Sequence, residues 1–270
     1  MLKKMTFGQY IYGNSIIHRL DPRLKLLFTV LFIVMVFSVK NIVGIISCII
    51  ISASFYFIAK IPLKIILRSL RPIIPLILFT VIINMFFVAG EPIISFWKIT
   101  ISKEGIYFSA MFIFKIVCLI AGSSILTYTT SPIELTDAIE RVLMPFKFIK
   151  MPVHELAMMM TIALRFIPTL IEETDRIMSA QKSRGADIDT GNLLKRVKAL
   201  VPILVPLFIS AFRRADDLTL AMECRCYRGG EGRTRLKQLK YKSLDLFSLI
   251  VFVSVFACVL LTNSFITAVI

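Results

Sequence analysis

The residues with the clearest chemical character in this chain are two arginines set twice in the same surroundings. Shifting the sequence by 41 positions lays Thr174, Asp175, Ile177, Ala180, Ser183, Arg184 and Gly185 over Ala215, Asp216, Leu218, Ala221, Cys224, Arg225 and Cys226. A guanidinium is permanently charged and carries a planar fork of donors, so its chemistry is docking to a carboxylate or a helix end rather than bond making. In each copy the Asp lies nine residues before the Arg. At about 100° per helical residue the two point to opposite sides, and the Asp is a poor partner for its own Arg. Ala180 and Ala221 sit one turn before the arginines on the same face and leave room for another surface to approach. The pattern reads as a guanidinium presented to a partner. The blander alternative is a surface helix ending in Arg, which the negative end of the helix dipole favours.

Other reactive groups are sparse. His18 and His154 are distant in sequence, and His154-Glu155 lacks the second histidine of a zinc-protease motif. Cys224 and Cys226 could ligate a metal, but no second pair stands in the polar region, so they read as small neighbours of Arg225. Cys48, Cys118 and Cys258 lie in apolar blocks, which argues against a disulfide framework. Gly229-Gly230-Glu231-Gly232-Arg233-Thr234 is glycine-rich but follows no strand, so it is not a phosphate loop. No catalytic residue, cofactor or metal is expected, and the chain does not read as an enzyme. Lys115 stands in the middle of an apolar block. A buried lysine suggests an ion or substrate path, and a secondary transporter or channel with a path near Lys115 is the alternative function. The competing reading packs this lysine against backbone carbonyls or lets it reach a wet groove, with no acid expected in the spans to pair with it.

The elements that must position these residues follow from composition. The chain has 270 residues, is 57% hydrophobic with a mean hydropathy of +0.82, and carries a net charge of +15. Its apolar residues come in long blocks, which makes it an all-α, polytopic helical membrane protein. The basicity does not imply nucleic acid, because the cations flank spans on one side as positive-inside charge. Residues 1–21 carry polar groups where a cleavable leader needs an apolar core. Spans are expected at 24–39, 42–59, 72–89, 105–128 and 244–270, about five in all, with a basic interfacial helix at 60–71 and a loop at 90–104 that places Trp97 at the opposite interface. The division is residues 1–130 with four spans, residues 131–242 as a cytoplasmic region, and residues 243–270 as a last span. Within the middle region Ser131-Pro132-Ile133-Glu134 has the form of a capped helix start. Two long helices follow at 153–182 and 193–227, interrupted by Arg165, Pro168, Pro202 and Pro206. Their apolar halves are short for spans, so both are expected to lie at or dip into the cytoplasmic interface. An odd span count puts the N-terminus in the cytoplasm.

With its membrane helices first, a basic segment of two helices each ending in a small-Arg-small triplet, and a final span, nearly the whole chain resembles the transmembrane T component of energy-coupling factor transporters. The triplets are Ser183-Arg184-Gly185 and Cys224-Arg225-Cys226, and Tyr227-Arg228-Gly229-Gly230-Glu231-Gly232-Arg233-Thr234 also looks like that family. The resemblance implies a non-catalytic coupling subunit of an ATP-driven vitamin or micronutrient importer in the plasma membrane of a prokaryote. It also implies that Ser183, Arg184, Gly185, Cys224, Arg225 and Cys226 bind two ATP-binding-cassette ATPase subunits. A small substrate-binding membrane subunit, the S component, would be the third partner, and Met158, Met159 and Met160 suit an adaptable surface for it. The usual triplet is Ala-Arg-Gly, so the second departs at both flanks. Cys226 is a poor helix terminator, and Gly229 is the expected end of that helix.

Overall fold

The computed structural model describes residues 10–87, 92–96, 99–149, 151–186, 193–229, 239 and 241–267. It falls into two compact units, residues 8–138 with 238–270, and residues 139–237.

In the first unit a short helix α1 (Ile16–Arg19) leads into α2 (Pro22–Ser38), where Asp21 caps the start by accepting from the Arg23 N–H at 2.9 Å and Pro22 occupies the first turn. Next comes α3 (Ile42–Ala59), which ends where Lys60 turns left-handed at φ 56°. A short helix α4 (Leu63–Leu70) passes through one 3-10 turn, Arg71–Ile73, into α5 (Ile74–Phe87). Two strands, β1 (Pro92–Phe96) and β2 (Ile99–Ser102), form an antiparallel hairpin. The long helix α6 (Lys103–Thr129) is capped by Ser102, and α10 (Ser243–Thr267) closes the chain.

Because α2 is apolar on every side, its core face is decided by packing. Leu24, Phe28, Phe32, Met35, Val36 and Val39 are buried against Ile45 and Cys48 of α3, Met111 and Cys118 of α6, and Phe252 and Val259 of α10. The Phe28 and Phe252 rings stack at 4.6 Å between centroids. Small residues let these helices approach: a Cβ on Gly122 would lie 2.3 Å from two carbons of the Phe32 ring. Tyr56 spends its hydroxyl on the Ala121 carbonyl at 2.8 Å, which removes a donor that lipid cannot satisfy.

The second unit holds the C-terminal part of α7 (Pro132–Leu143), a 3-10 stretch Met144–Ile149, and two long helices, α8 (Val153–Ser183) and α9 (Leu193–Cys224). The capped start at Ser131 is present, its hydroxyl accepting from the Glu134 N–H at 3.3 Å.

Five described stretches are long and apolar enough to cross a membrane: Ile42–Ala59, Lys64–Met85, Lys103–Thr129, Val153–Ser183 and Ser243–Asn263. The protein is an all-α polytopic membrane protein, as the composition requires, but the membership of the set corrects the sequence reading. The 14 described residues of α5 follow the amphipathic α4 through the 3-10 turn at Arg71–Ile73, and by length and composition Lys64–Met85 qualifies as one stretch, so the span expected at 72–89 begins earlier in that measure. By length and composition α8 also qualifies, whereas α2 is 17 residues long, about 25 Å. The loop at 90–104 contains a β-hairpin, and Trp97 lies outside the described residues. An acid does occur within the last span. Asp245 stands in the first turn of α10 and is buried.

Candidate functional site

The two arginines occupy the same backbone position at two identical helix endings. On α8 the Ala186 N–H reaches back to the Gln181 carbonyl at 3.0 Å and the Gly185 N–H to the Lys182 carbonyl at 3.0 Å, with Gly185 left-handed at φ 83°. On α9 the Tyr227 N–H reaches the Met222 carbonyl at 3.0 Å and the Cys226 N–H the Glu223 carbonyl at 2.8 Å, with Cys226 left-handed at φ 55°. Both are Schellman endings, in which paired back-bonds satisfy the carbonyls that the last turn leaves open. Arg184 and Arg225 are the capping residues of the two. The 41-residue repeat is therefore a repeat of conformation as well as of sequence. The expectation that Gly229 ends the second helix is overturned: α9 ends at Cys224, Cys226 takes the left-handed position that glycine holds in the first copy, and Gly229 makes a separate turn at φ 88°.

All six residues, Ser183, Arg184, Gly185, Cys224, Arg225 and Cys226, are exposed, as are Ala180 and Ala221 one turn earlier. Among the described residues neither the Arg184 nor the Arg225 guanidinium has a hydrogen-bond or ion-pair partner, and Asp175 and Asp216 leave them free as the helical phase requires. A solvated guanidinium with small neighbours keeps its whole donor fork available. Cys224 and Cys226 are free thiols.

Two contacts fix how α8 and α9 run. The Arg214 guanidinium donates to the Glu173 carboxylate at 2.8 Å, and the Gln181 amide donates to the Pro202 carbonyl at 3.3 Å. Numbers rise along one helix as they fall along the other, so the pair is antiparallel. Arg184 and Arg225 consequently leave opposite ends, separated by roughly 35 Å along the axis at 1.5 Å per residue. Glu173 and Arg214 are themselves 41 residues apart, so the ion pair joins equivalent positions of the two copies. Pro168 lies inside α8, and Pro202 and Pro206 inside α9. Each removes a backbone donor and weakens the helix at that level.

The other candidates are not brought to these arginines. His154 pairs with Glu140 at 3.3 Å, and His18 lies in the other unit between Ser15 and the Ile11 carbonyl. Lys115, on α6, is half-buried and has no hydrogen-bond or ion-pair partner among the described residues. Met158 and Met160 are partly buried and Met159 is exposed on α8. Residues 230–234 of the glycine-rich run lie outside the described residues. Sequence reasoning missed a cluster of buried charges at the start of α2, Asp21 and Lys25, together with Asp245 of α10. The available signal was the charged run Asp21-Pro22-Arg23-Leu24-Lys25 at the start of the first expected span.

Comparison with known proteins places this geometry. The family description of a cobalt transport protein, CbiQ, matches residues 13–236. The chain is 52% identical over 259 residues to the energy-coupling factor transporter transmembrane protein EcfT of Acidaminococcus fermentans, covering 95% of this chain and 96% of that one. It is 51% identical over 249 residues to the EcfT of Thermosediminibacter oceani, covering 92% and 94%. With the EcfT of Lactococcus lactis subsp. cremoris it shares 50% over 245 residues, covering 90% and 92%. A match of this extent and identity, carried across both arginine-ended helices, means that the chain belongs to the CbiQ family as the transmembrane T component of an energy-coupling factor transporter.

Proposed function

We propose that this subunit couples two ATP-binding-cassette ATPases to a substrate-binding S component, with Arg184 and Arg225 as the points of attachment. The observation that carries the reading is the pair of matched helix endings, each presenting a guanidinium unpartnered among the described residues, beside small residues at opposite ends of one antiparallel pair. Two identical hooks facing apart suit two similar sockets. Nucleotide-driven closure of the ATPases would draw the hooks together, and the proline-weakened middles of α8 and α9 would give in response. In this reading the chain is a non-catalytic subunit of a vitamin or micronutrient importer in the cell membrane, with its N-terminus in the cytoplasm. The cation-rich segments at 60–71 and 131–242 support that orientation.

Co-expression of the tagged chain with candidate ATPases and small membrane proteins, followed by purification in mild detergent, tests the assignment. Recovery of two ATPases and one small membrane subunit is the expected result, and recovery of the chain alone from every combination would overturn it.

A further inference from the structure

Residues 139–237 form the second unit, and the two stretches of the first unit that lead toward it and back from it, at Thr129 and at Leu239 to Asp245, are both held by the same helical turn. At the outgoing root, the Lys25 ammonium donates to the Thr129 carbonyl at 2.9 Å and to the His18 carbonyl at 3.2 Å, while the Ile11 N–H donates to the Tyr128 carbonyl at 2.9 Å. Thr129 and Thr130 are buried there. At the returning root, the Arg23 guanidinium donates to the Leu239 carbonyl at 3.1 Å and lies 5.1 Å over the Tyr241 ring. Asp245 accepts from the Lys242 N–H at 2.7 Å and, with its other oxygen, from the Asp21 N–H at 2.9 Å. Asp21, Arg23 and Lys25 all belong to the capped first turn of α2. These partners are 104, 216 and 224 residues away in sequence.

The choice of groups is costly, and local helix capping does not need it. Lys25 is 5% exposed and Asp245 is 2% exposed. A buried charge is retained only where several well-aligned hydrogen bonds and opposite charges surround it, and the Lys25 ammonium has Glu134, Asp21 and Asp245 nearby. Charge-assisted bonds to carbonyls are short and directional, so they resist the sliding that apolar packing permits. Helix α2 is also the helix whose face fills the centre of the membrane body. A displacement at the outgoing root, the last residue of α6, or at the returning root, the first turn of α10, is therefore passed at once to α2, and through its packed face to α3.

We propose that Lys25, Asp245 and Arg23 are positioning residues for energy coupling: they clamp both roots of the coupling region to one turn of the central helix, so that ATPase movement at either root moves α2 together with the end of α6 and the start of α10. The inference rests on the coupler reading given under Proposed function. A loose root would let α8 and α9 move without carrying α2 and the helices packed on it. ATP would then be hydrolysed without a response in the membrane.

The test uses the assembled complex with its ATPases in nanodiscs. Nitroxides are attached within the body at positions 54 on α3 and 254 on α10 through a ketone-bearing unnatural amino acid, so that Cys224 and Cys226 stay unchanged. Distances are read with ADP and after trapping with MgATP and vanadate. The parent is expected to change its distance distribution on trapping, and Lys25→Met and Asp245→Asn to lose that change while the ATPases stay bound and hydrolyse ATP within twofold of the parent. Lys25→Arg, which keeps the charge and donors, is expected to recover part of it. A purely structural role would lower yield or thermal stability but leave the trapped-state change intact, and that result, like a parent that shows no change, overturns the proposal. Should Lys25→Met not accumulate, Arg23→Gln removes the guanidinium that meets Leu239, Tyr241 and Asp21 and carries the same expectation. Failure of the coupler reading is seen separately, as retention of the ATPases by Arg184→Glu combined with Arg225→Glu.

Discussion

Cysteine at position 226 occupies a conformation that costs an L-residue with a Cβ about 1 kcal/mol relative to glycine, yet its backbone bonds match those at Gly185 in every connection. Replacing Cys226 with Gly is therefore expected to stabilise the end of α9 by about 1 kcal/mol, and replacing Gly185 with Ala to destabilise the end of α8 by a similar amount. Space is not the reason, since a Cβ on Gly185 would meet nothing within 4 Å. Hydrogen-exchange protection of the last turn of each helix checks both signs. A second residue-level expectation concerns His18. Burial holds its imidazolium below the ordinary value of 6.5, the Ile11 carbonyl at 3.0 Å opposes that shift, and Lys25 adds to it. The folded protein thus binds fewer protons here than the unfolded chain. Stability from this site is present above pH 6.5 and is lost as the pH falls through that value toward the folded one. The Tm of the detergent-solubilised protein should drop between pH 8 and pH 5, and His18→Gln should flatten part of that drop.

At the scale of elements, what could be read from sequence depended on whether polar residues marked the boundary. The limits of α3 were legible because Lys40-Asn41 and Lys60 bracket an unbroken apolar run, and the end of α8 because a small-Arg-small triplet closes it, whereas the end of α9 was misplaced at Gly229 because Cys226 does not look like a left-handed residue. Pro72 misled, since a proline that looks like the first residue of a span sits in a 3-10 turn that carries α4 on into α5. The β-hairpin was legible in principle from the β-branched Ile94 and from Ile99, Thr100 and Ile101, but its nearness to a membrane exit favoured reading it as loop. Inward faces were illegible. Leu27, Val30, Val34 and Phe37 of α2 are exposed while Phe28, Phe32, Met35 and Val36 are buried, and in a bilayer both sets are equally apolar. Close contacts can reveal the inward face by mutation. Gly122→Ala should destabilise the protein by roughly 1 to 3 kcal/mol through overpacking on Phe32, and adding Phe32→Leu should return part of that loss in a thermal melt. On the same helix, Lys115→Met should leave the protein folded and associated with its ATPases. Loss of transport with assembly intact would instead promote the reading in which Lys115 lines a path.

For the whole molecule, the repeat is the feature whose meaning depends on both copies at once. If each guanidinium enters a desolvated groove and meets a carboxylate or helix end, removing one leaves its partner group buried and unmatched, at a cost of roughly 2 to 5 kcal/mol. Lysine should not fully replace it, because a single ammonium lacks the planar fork, so Arg184→Lys and Arg225→Lys should both remain impaired. Arg213→Ala should be nearly neutral, since that cation of α9 is exposed and has no partner among the described residues. The two attachments are also linked by the antiparallel pair itself, through Arg214 and Glu173. Once one ATPase of a joined pair is held, the second contact forms within the complex at a high effective concentration. Either single substitution, Arg184→Glu or Arg225→Glu, should then weaken co-purification of the ATPases moderately, and the two together should weaken it far more than the sum of the single losses. Transport should fail before association does, because one remaining hook holds the ATPases without transmitting their closure. Wild-type association and transport in the double variant would return both arginines to the role of ordinary helix-end residues favoured by the dipole.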